Sequence, residues 1–397
     1  MFNQRRMVSR VGINRESTPA RLGVLLLTDD RVEEANGKFL NLLYLDPLLL
    51  VGLLAVSGLG LMMLYSAGQR DLSLVIGQAI RLGLGFAIML TLAQLPPRHF
   101  RFWSPWIYLV GVLLLVAVMV AGDISKGARR WLDLGVLRFQ PSEIMKLAVP
   151  MMMSWYFANK PLPPRLWHLL GGVSITGVPF LLIAKQPDLG TALVVGCAGA
   201  FVLFLAGLSW TILLGLVAAL GAAVPLFWTF AMHDYQRQRV LTFLDPESDP
   251  LGAGYHIIQS KIAIGSGGIY GKGWLNGTQS HLDFLPEGST DFIFAAFSEE
   301  FGLVGGCLLL TLYFFVIARC LYMATHTPDT YTRLLAGSLT LIFFVYAFVN
   351  SGMVSGLLPV VGLPLPLFSY GGTSLVTIMA GFGILMSVYS HRRTPTR

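Results

Sequence analysis

Long apolar segments alternate with short polar ones over most of this 397-residue chain. A helix needs about 20 mostly apolar residues to cross a bilayer, and ten segments approach or exceed that length. The pattern predicts an all-α polytopic membrane protein with about ten transmembrane helices. The ten segments are residues 47–65, 73–95, 103–121, 141–158, 168–184, 189–207, 210–232, 292–322, 333–351 and 373–390.

Two regions depart from this alternation and define the expected domains. Residues 1–46 are polar and carry seven cations, which predicts a poorly ordered cytoplasmic tail. Residues 233–291 separate the seventh and eighth apolar segments, and we expect a long extracytoplasmic (periplasmic) loop with short amphipathic elements on the membrane surface. The membrane domain then covers residues 47–390, and residues 391–397 form a short cytoplasmic C-terminal tail.

The basic residues of the short loops predict the orientation. Ten spans place both termini on one side, and loops rich in Lys and Arg favour the cytoplasm. The basic loops at residues 96–101 and 159–165 then lie inside together with both tails. The short basic sequence KGARRW (residues 126–131) falls outside, against this rule. We interpret its cations as having a task on the outer face.

Composition excludes several classes of protein. The chain is 54% hydrophobic and 12% charged, whereas a soluble domain has about 25% charged residues. Its three cysteines lie in apolar segments and fit no metal-site spacing. The Gly-rich run at residues 265–273 fails the nucleotide-loop pattern, because Ser266 replaces the first Gly and Gly273 replaces the Ser/Thr. We see no basic run that favours nucleic acid.

Charges of both signs are predicted to meet on the outer face. Arg and Lys bind phosphate oxygens, and a carboxylate beside them can act as a general base. Together they suit a substrate that has a phosphate and a hydroxyl to be activated. The cations are Lys126, Arg129, Arg130, Arg237, Arg239, Lys261 and Lys272, and the acids include Asp188, Asp283, Glu287 and Asp291.

Glu143 and Asp188 stand at positions where both a structural and a functional interpretation hold. Glu143 and Lys146 are three residues apart and share one helix face. Ionisable groups at membrane depth suggest function, although a structural pair with Lys146 reaching to the interface is the alternative. Asp188 precedes the sixth apolar segment, where an acid also favours the positive start of a helix.

The sequence LPEGSTDFIFAAFSEEFG (residues 285–302) carries four carboxylates and leads into the eighth apolar segment. Ser289 or Thr290 is a good N-cap, which would place Asp291 in the first helical turn, where the helix dipole favours negative charge. This structural interpretation alone explains Asp291, so a role as a base is the alternative. We expect Glu299 and Glu300, about two turns further on, to lie outside the lipid or to be paired.

Five long motifs make the chain resemble the SEDS (shape, elongation, division, sporulation) family, over residues 40–392. The match is closer to the elongation type of Gram-negative bacteria than to the division type. Residues 1–40 depart from the typical pattern of this type, so the resemblance implies nothing about them. Gly288 and Ser289 stand where Gram-negative relatives often have a basic residue followed by His. The motifs are KGARRWLDLGVLRFQPSEIMKLAVP, QPDLGTALVV, the stretch from HDYQRQRV to HLDFLPE, TDFIFAAFSEEFGLVG and VNSGMVSGLLPVVGLPLPLFSYGGTSL.

The resemblance implies a peptidoglycan glycosyltransferase of the bacterial inner membrane, with lipid II as substrate and a class B penicillin-binding protein of the elongation machinery as partner. It implies that Asp291 is the catalytic acid residue, which we interpret as the general base. A divalent cation, Mg²⁺ or Mn²⁺, could assist, but no ligand cluster specifies one. The expected substrate-binding residues are Glu143, Lys146, Asp188, Lys126, Arg129, Arg239 and Lys261, of which the cations would stabilise the departing pyrophosphate.

Two other functions stay open at this point. A lipid II flippase or other transporter would also use membrane charge pairs and the Pro/Gly-broken sequence at residues 360–372. Against it, we find no clear inverted repeat, and the acids belong to an outer loop. A scaffold for the penicillin-binding protein would leave the outer charges without a chemical task.

Overall fold

A computed structural model gives the fold of most of the chain. It describes residues 44–125, 128–133, 138–226, 228–229, 234–248, 253–281, 284–285 and 287–391. The expected N-terminal tail lies outside the described residues except for residues 44–46, and so does nearly all of the C-terminal tail.

Each of the ten apolar segments contains a helix. Within the described residues, seven of these helices are long and apolar enough to cross a membrane, and α6 is a shorter apolar helix. The chain is therefore a multi-pass membrane protein, and the count of ten crossings stays a prediction. The helices are α1 (Pro47–Ala67), α2 (Leu72–Gln94), α3 (Pro97–Ala121), α4 (Pro141–Ala158), α5 (Leu166–Lys185), α6 (Leu189–Leu205), α7 (Trp210–Leu226), α8 (Asp234–Leu244), α9 (Ala253–Gly267), α10 (Thr278–His281), α11 (Ile293–Thr325), α12 (Thr330–Val354) and α13 (Thr373–Ser390).

Local sequence explains where several helices begin. The side chains of Asp46, Asp71 and Asp329 accept hydrogen bonds from backbone N–H groups in the first turns of α1, α2 and α12, which satisfies donors that a helix start leaves free. Pro97 and Pro141 begin α3 and α4, where proline's fixed φ fits and its missing N–H costs nothing.

A small antiparallel sheet joins α3 to α4, which the all-α prediction did not include. Its strands are β1 (Asp123–Ser125), β2 (Ala128–Asp133) and β3 (Arg138–Phe139), in the order β1-β2-β3. The pairs are too short to give the alternating pattern that predicts a strand from sequence. The basic KGARRW sequence belongs to this sheet.

Close contacts between helices hold the bundle together. Helix α12 packs on α4, α6, α11 and α13, and α2 packs along α13. In lipid, helices associate largely through small residues that let them approach closely. A Cβ on Gly85 of α2 would lie 2.8 Å from Leu375 Cδ2 of α13, and one on Gly111 of α3 would lie 2.4 Å from Met145 Sδ of α4.

Helix α11 is broken at Gly302, and the segment after α9 fills the break. Gly302 has φ 65° and ψ −163°. The N–H groups of Leu303 and Val304 donate to the carbonyls of Gly268 and Ile269, at 2.9 and 3.1 Å. Because these contacts join backbone to backbone, the part of α11 that follows Gly302 is fixed to residues 233–291, which are called here the outer loop after their expected position.

The outer loop is more deeply packed than the expected surface elements. Helix α9 contacts α11 and α12, and Ile257 and Ala263 on it are buried. The hydroxyl of Ser260 donates to the carbonyl of Val354 at the end of α12. Helix α9 is therefore part of the folded bundle.

The connection between α12 and α13, residues 355–372, has no helix and is called here the α12–α13 loop. Leu363, Leu365 and Phe368 in it are buried. Irregular backbone at membrane depth is tolerated only inside protein or beside a polar cavity. Side chains satisfy it here: Asn350 Nδ2 donates to the carbonyl of Leu363 at 2.8 Å, and the Tyr313 hydroxyl donates to that of Pro366 at 2.6 Å.

Candidate functional site

Asp291 lies at the junction of α11, α12 and the α12–α13 loop. Its backbone carbonyl accepts a hydrogen bond of 2.8 Å from Asn350 Nδ2 on α12. The position that a Cβ would occupy on Gly362 lies 3.5 Å from Asp291 Oδ2. The residue is partly exposed. Asp291 thus has a fixed backbone and the loop beside its carboxylate, and it stays partly exposed.

The prediction that Ser289 or Thr290 caps α11 was wrong. The capping position is Phe292, and no side chain caps the helix. The N–H groups of Thr290 and Phe292 both bond to the carbonyl of Glu287, which turns the chain before the helix begins. Asp291 therefore precedes the first helical turn, and the structural explanation of its charge as a first-turn acid does not apply.

Helix α9 approaches Asp291 from the outer loop. The ring of His256 stacks on that of Phe292, with centroids 5.7 Å apart and planes 15° apart. Phe292 directly follows Asp291. The outer loop therefore forms one wall of the region around this carboxylate.

Asp188 is held by two neighbours at the start of α6. Its Oδ1 accepts from the N–H of Thr191 at 3.3 Å, and its Oδ2 accepts from Gln140 Nε2 at 2.9 Å. Gln140 immediately precedes α4. Asp188 therefore joins the turn between α5 and α6 to the start of α4, and it is 9% exposed.

The α12–α13 loop connects the surroundings of Asp188 to those of Asp291. A Cβ on Gly190, in the first turn of α6, would lie 2.9 Å from the carbonyl oxygen of Val361. The next residue, Gly362, lies beside Asp291. The structure thus brings these two predicted acids to the same loop.

Glu143 and Lys146 form a buried ion pair inside the bundle. Lys146 Nζ lies 2.6 Å from Glu143 Oε1, and both side chains are buried. The ammonium also lies 5.2 Å from the ring centroid of Tyr346, beside a cavity of about 30 Å³, which is room for about one water. Lys146 is buried among protein side chains and does not extend outward, contrary to that part of the structural alternative.

The predicted cations of the outer face are spread over several sites. Arg130 donates from Nε to the carbonyl of Gln186 at 3.3 Å and from Nη2 to that of Pro187, so it fastens the small sheet to the turn that holds Asp188. Lys261 Nζ lies 2.8 Å from the position that a Cβ would occupy on Gly356, just after α12. A helix C-terminus favours a cation there.

For three of the predicted substrate-binding cations, the side chains lie outside the described part of the chain. Lys126 lies outside the described residues. Only the backbones of Arg129, in β2, and Arg239, in α8, belong to the described part. The assignment of these three residues to a pyrophosphate stays a prediction.

Glu299 and Glu300 are paired, which confirms the expectation for them. Glu299 accepts from Lys272 Nζ at 2.7 Å and from the backbone N–H of Gln279 at 3.0 Å. Glu300 accepts from the hydroxyl of Ser66 and from the N–H of Leu275 at 3.2 Å. Both acids hold the segment after α9 in place.

The sequence interpretation missed Arg81, which lies within α2. Its guanidinium carbon lies 4.5 Å from the ring centroid of Tyr370 in the α12–α13 loop. Gln78, one turn earlier, donates to the carbonyl of Ser369 and accepts from the N–H of Gly371. A lone cation inside an apolar segment is itself the signal that indicates such a residue.

Among the described residues, no group of three or more His, Cys, Asp and Glu side chains is placed to hold a metal ion. The donor set near Asp291 therefore does not fit a metal centre held by these residues alone.

Comparison with known proteins identifies the family. The family model described as "Cell cycle protein", FtsW/RodA/SpoVE, matches residues 39–394. The chain belongs to the FtsW/RodA/SpoVE family. The family resemblance drawn from the motifs is thereby confirmed.

Individual relatives agree with this membership over nearly their whole length. The chain is 54% identical over 355 residues to "Peptidoglycan glycosyltransferase MrdB" of Escherichia coli K12, covering 89% of this chain and 96% of the relative. It is 32% identical over 419 residues to "Peptidoglycan glycosyltransferase RodA" of Treponema pallidum, covering 86% and 97%.

Two solved structures share the fold. One, described as "Structural coordination of polymerization and crosslinking by a peptidoglycan synthase complex", matches with a TM-score of 0.76 at 38% identity, covering 87% of this chain and 97% of that one. The rod shape determining protein RodA of Thermus thermophilus matches with a TM-score of 0.66 at 31% identity over the same shares.

Proposed function

We propose that the chain is a peptidoglycan glycosyltransferase that polymerises lipid II into glycan strands during cell elongation. It would lie in the bacterial inner membrane with both termini in the cytoplasm and with Asp291 on the periplasmic side. Curated relatives named for this activity, at 54% and 32% identity, support the reaction class. The placement of the termini rests on the basic short loops.

One observation carries the assignment of Asp291. Its carboxylate lies beside the α12–α13 loop at a partly exposed site, while Asn350 fixes its backbone. A general base needs both access to the substrate and a defined position. Glu299 and Glu300 are buried and hold the segment after α9, so they lack that access.

The proposed reaction is a single displacement. The 4-hydroxyl oxygen of the acceptor sugar forms a bond to the anomeric carbon of the donor, and Asp291 takes the hydroxyl proton. The bond from that carbon to the lipid diphosphate breaks, and its electron pair leaves with the diphosphate. An α-linked donor gives a β-linked product, so the configuration is inverted.

The other predicted residues divide into two roles. Asp188 and the Glu143–Lys146 pair are held by neighbours within the bundle, and we assign them to shaping the site around the α12–α13 loop. Positive side chains near the leaving group would stabilise its developing charge. Lys261, Arg129, Arg239 and Lys126 stay candidates for that role.

Polymerisation by purified protein tests the proposal. Wild type, Asp291→Asn and Asp291→Ala are incubated in detergent with lipid II, and glycan polymers are resolved on a gel. We expect both variants to lose polymerisation by at least about a hundredfold, as for removal of a general base. Glu287→Gln is the matched control, because Glu287 is an exposed carboxylate four residues earlier.

Equal thermal unfolding of the four proteins would show that any loss is chemical. Near-normal polymer from Asp291→Asn would refute the base assignment. The same assay separates an enzyme from a transporter, because detergent removes the membrane barrier. A wild-type protein that makes no polymer there, alone or with its partner, contradicts the proposed activity.

We also propose a class B penicillin-binding protein as partner, which would crosslink the new strands. The support is the structural neighbour described as a complex that coordinates polymerisation and crosslinking. Co-purification of the two proteins from the inner membrane tests this part of the proposal.

A further inference from the structure

Arg81 is a cation placed deep in the membrane part of the bundle. It lies nine residues after Leu72, the first residue of α2, which corresponds to about 14 Å along the helix. Neighbouring residues on α2, Ile76, Ile80 and Leu84, are exposed and apolar, as expected for a helix that faces lipid. Placing a charge at this depth is costly and indicates a functional site.

The charge of Arg81 has no anionic partner among the described residues. Its Nη1 is buried and has no hydrogen-bond partner there, and no ion pair of the described part includes it. The guanidinium faces the ring of Tyr370 instead, at 4.5 Å. Arginine stays protonated in proteins, so a buried N–H donor is left to be satisfied.

The backbone next to Arg81 is open and favours an anion. Gly372 is exposed, and a Cβ placed on it would lie 4.0 Å from Arg81 Nε. Gly372 is also the capping position of α13, and no side chain caps that helix. Free N–H groups at a helix start add positive potential. Arg81 and the start of α13 therefore present donors to the same space.

This space adjoins the site of Asp291. The N–H of Tyr370 donates to the carbonyl of Ser289 at 2.9 Å, and Ser289 is two residues before Asp291. The same residue, Tyr370, covers the guanidinium of Arg81. One segment of the α12–α13 loop thus lies between Arg81 and the proposed base.

We infer that Arg81, Tyr370 and the start of α13 form the subsite that binds the diphosphate of a lipid-linked substrate. The inference rests on the proposed function and names the part of the site that holds its leaving group. A guanidinium donates two parallel N–H groups to phosphate oxygens. The exposed apolar face of α2 beside it suits the prenyl chain, which must stay in lipid while its diphosphate is bound.

A purely structural role is the competing explanation. In it, the contact between Arg81 and Tyr370 only fastens the α12–α13 loop to α2. The two roles differ in what removal of the charge does. A buried charge whose counter-charge comes from a ligand destabilises the protein when that ligand is not bound. Under this role, Arg81→Met should leave the melting temperature of the ligand-free protein equal or higher. A structural contact would make the same variant melt earlier.

Ligand binding without turnover tests the subsite. Full-length protein in detergent is titrated with geranylgeranyl diphosphate and with geranylgeraniol, and tryptophan fluorescence reports binding. We expect wild type to prefer the diphosphate by at least about tenfold, as for hydrogen bonds to a charged group. Arg81→Met should lose this preference and keep its affinity for the alcohol. Arg81→Lys should keep part of it.

Arg98→Met is the matched control, since Arg98 is an exposed arginine at the start of α3. It should retain the full preference. Three results would overturn the inference: no preference in wild type, an unchanged preference in Arg81→Met, or an equal loss for diphosphate and alcohol together with a lower melting temperature. Displacement of the prenyl diphosphate by an equal concentration of inorganic pyrophosphate would assign a free-anion site and overturn the lipid-linked part.

The outcome is independent of the polymerisation assay. Binding of the prenyl diphosphate requires no general base, so Asp291→Asn should bind it as wild type does. Loss of polymerisation with an intact Arg81-dependent preference would contradict the proposed reaction alone. Normal polymerisation with no such preference would contradict the subsite alone.

Discussion

The pair of Glu143 and Lys146 shows how burial decides the role of a residue. Their spacing in the sequence predicts a shared helix face, but it allows either an interfacial or an internal position. In the structure, the two charges are buried against each other beside Tyr346. Because neither charge is exposed to bulk water, each charge offsets the cost of burying the other.

Removing one member of this pair should therefore destabilise the fold. Glu143→Gln leaves the ammonium of Lys146 buried without its counter-charge, at a cost of about 3–5 kcal/mol. We expect a clearly lower melting temperature in detergent for this variant. The double variant Glu143→Gln/Lys146→Met should recover most of the lost melting temperature, because it buries no charge at this position.

Lys160→Met is a suitable control for that series, since it removes an exposed lysine at the end of α4. A Glu143→Gln protein that melts like wild type would show that the pair is hydrated and that its burial is not decisive.

Residues differ in how far sequence alone predicts their place. The Asp291 motif identifies the residue, but the turn at Glu287 that moves it out of α11 depends on two backbone bonds that no pattern encodes. Arg81 stands out in the sequence as a charge within an apolar segment. Its contact with Tyr370, almost 290 residues away, depends on how α2 and α13 pack.

At the level of elements, apolar length predicts the helices but not the break in α11. The sequence predicts one segment over residues 292–322, because Glu299 and Glu300 are flanked on both sides by apolar residues. The break depends on the close approach of residues 268–273 to residues 300–304, which is made by backbone groups. Only the glycines at those positions reflect it in the sequence.

Gly302→Ala should disrupt the contact between residues 268–273 and α11. Gly302 has a positive φ of 65°, and a Cβ there would lie 2.4 Å from Gly271 N and 2.6 Å from Ile269 O. Backbone atoms cannot move aside as a flexible side chain can. We expect the free energy of unfolding to fall by more than about 2 kcal/mol, because backbone strain and displacement add together. The measurable result is a poor yield and a lower temperature of thermal unfolding.

The control is Gly58→Ala in α1, where a Cβ would meet nothing within 4 Å. Alanine favours a helix by about 1 kcal/mol over glycine, so this variant should be as stable as wild type or slightly more so. Equal stability of Gly302→Ala and wild type would mean that residues 268–273 can separate from α11.

On the scale of the whole molecule, the α12–α13 loop is where the separate parts of the site meet. It contacts α6 near Asp188, lies beside Asp291, and covers Arg81 on α2. Its sequence predicts broken structure through its Pro and Gly residues. The long-range partners of the loop follow from the packing of α2, α6 and α12, which apolar periodicity does not specify.

The orientation of the whole chain can be tested by cysteine labelling. Native Cys197, Cys307 and Cys320 are first replaced by alanine, and single cysteines are introduced at Tyr270 in the outer loop and at Arg333 in α12. Both positions are exposed, Tyr270 at 83%.

Basic short loops favour the cytoplasm, which predicts that Tyr270 lies outside and Arg333 inside. A membrane-impermeant maleimide should label Tyr270→Cys in cells with a permeable outer membrane, and Arg333→Cys only after the inner membrane is also opened. The reverse pattern would turn Asp291 toward the cytosol, where it could not polymerise lipid-linked sugar on the outer face of the membrane.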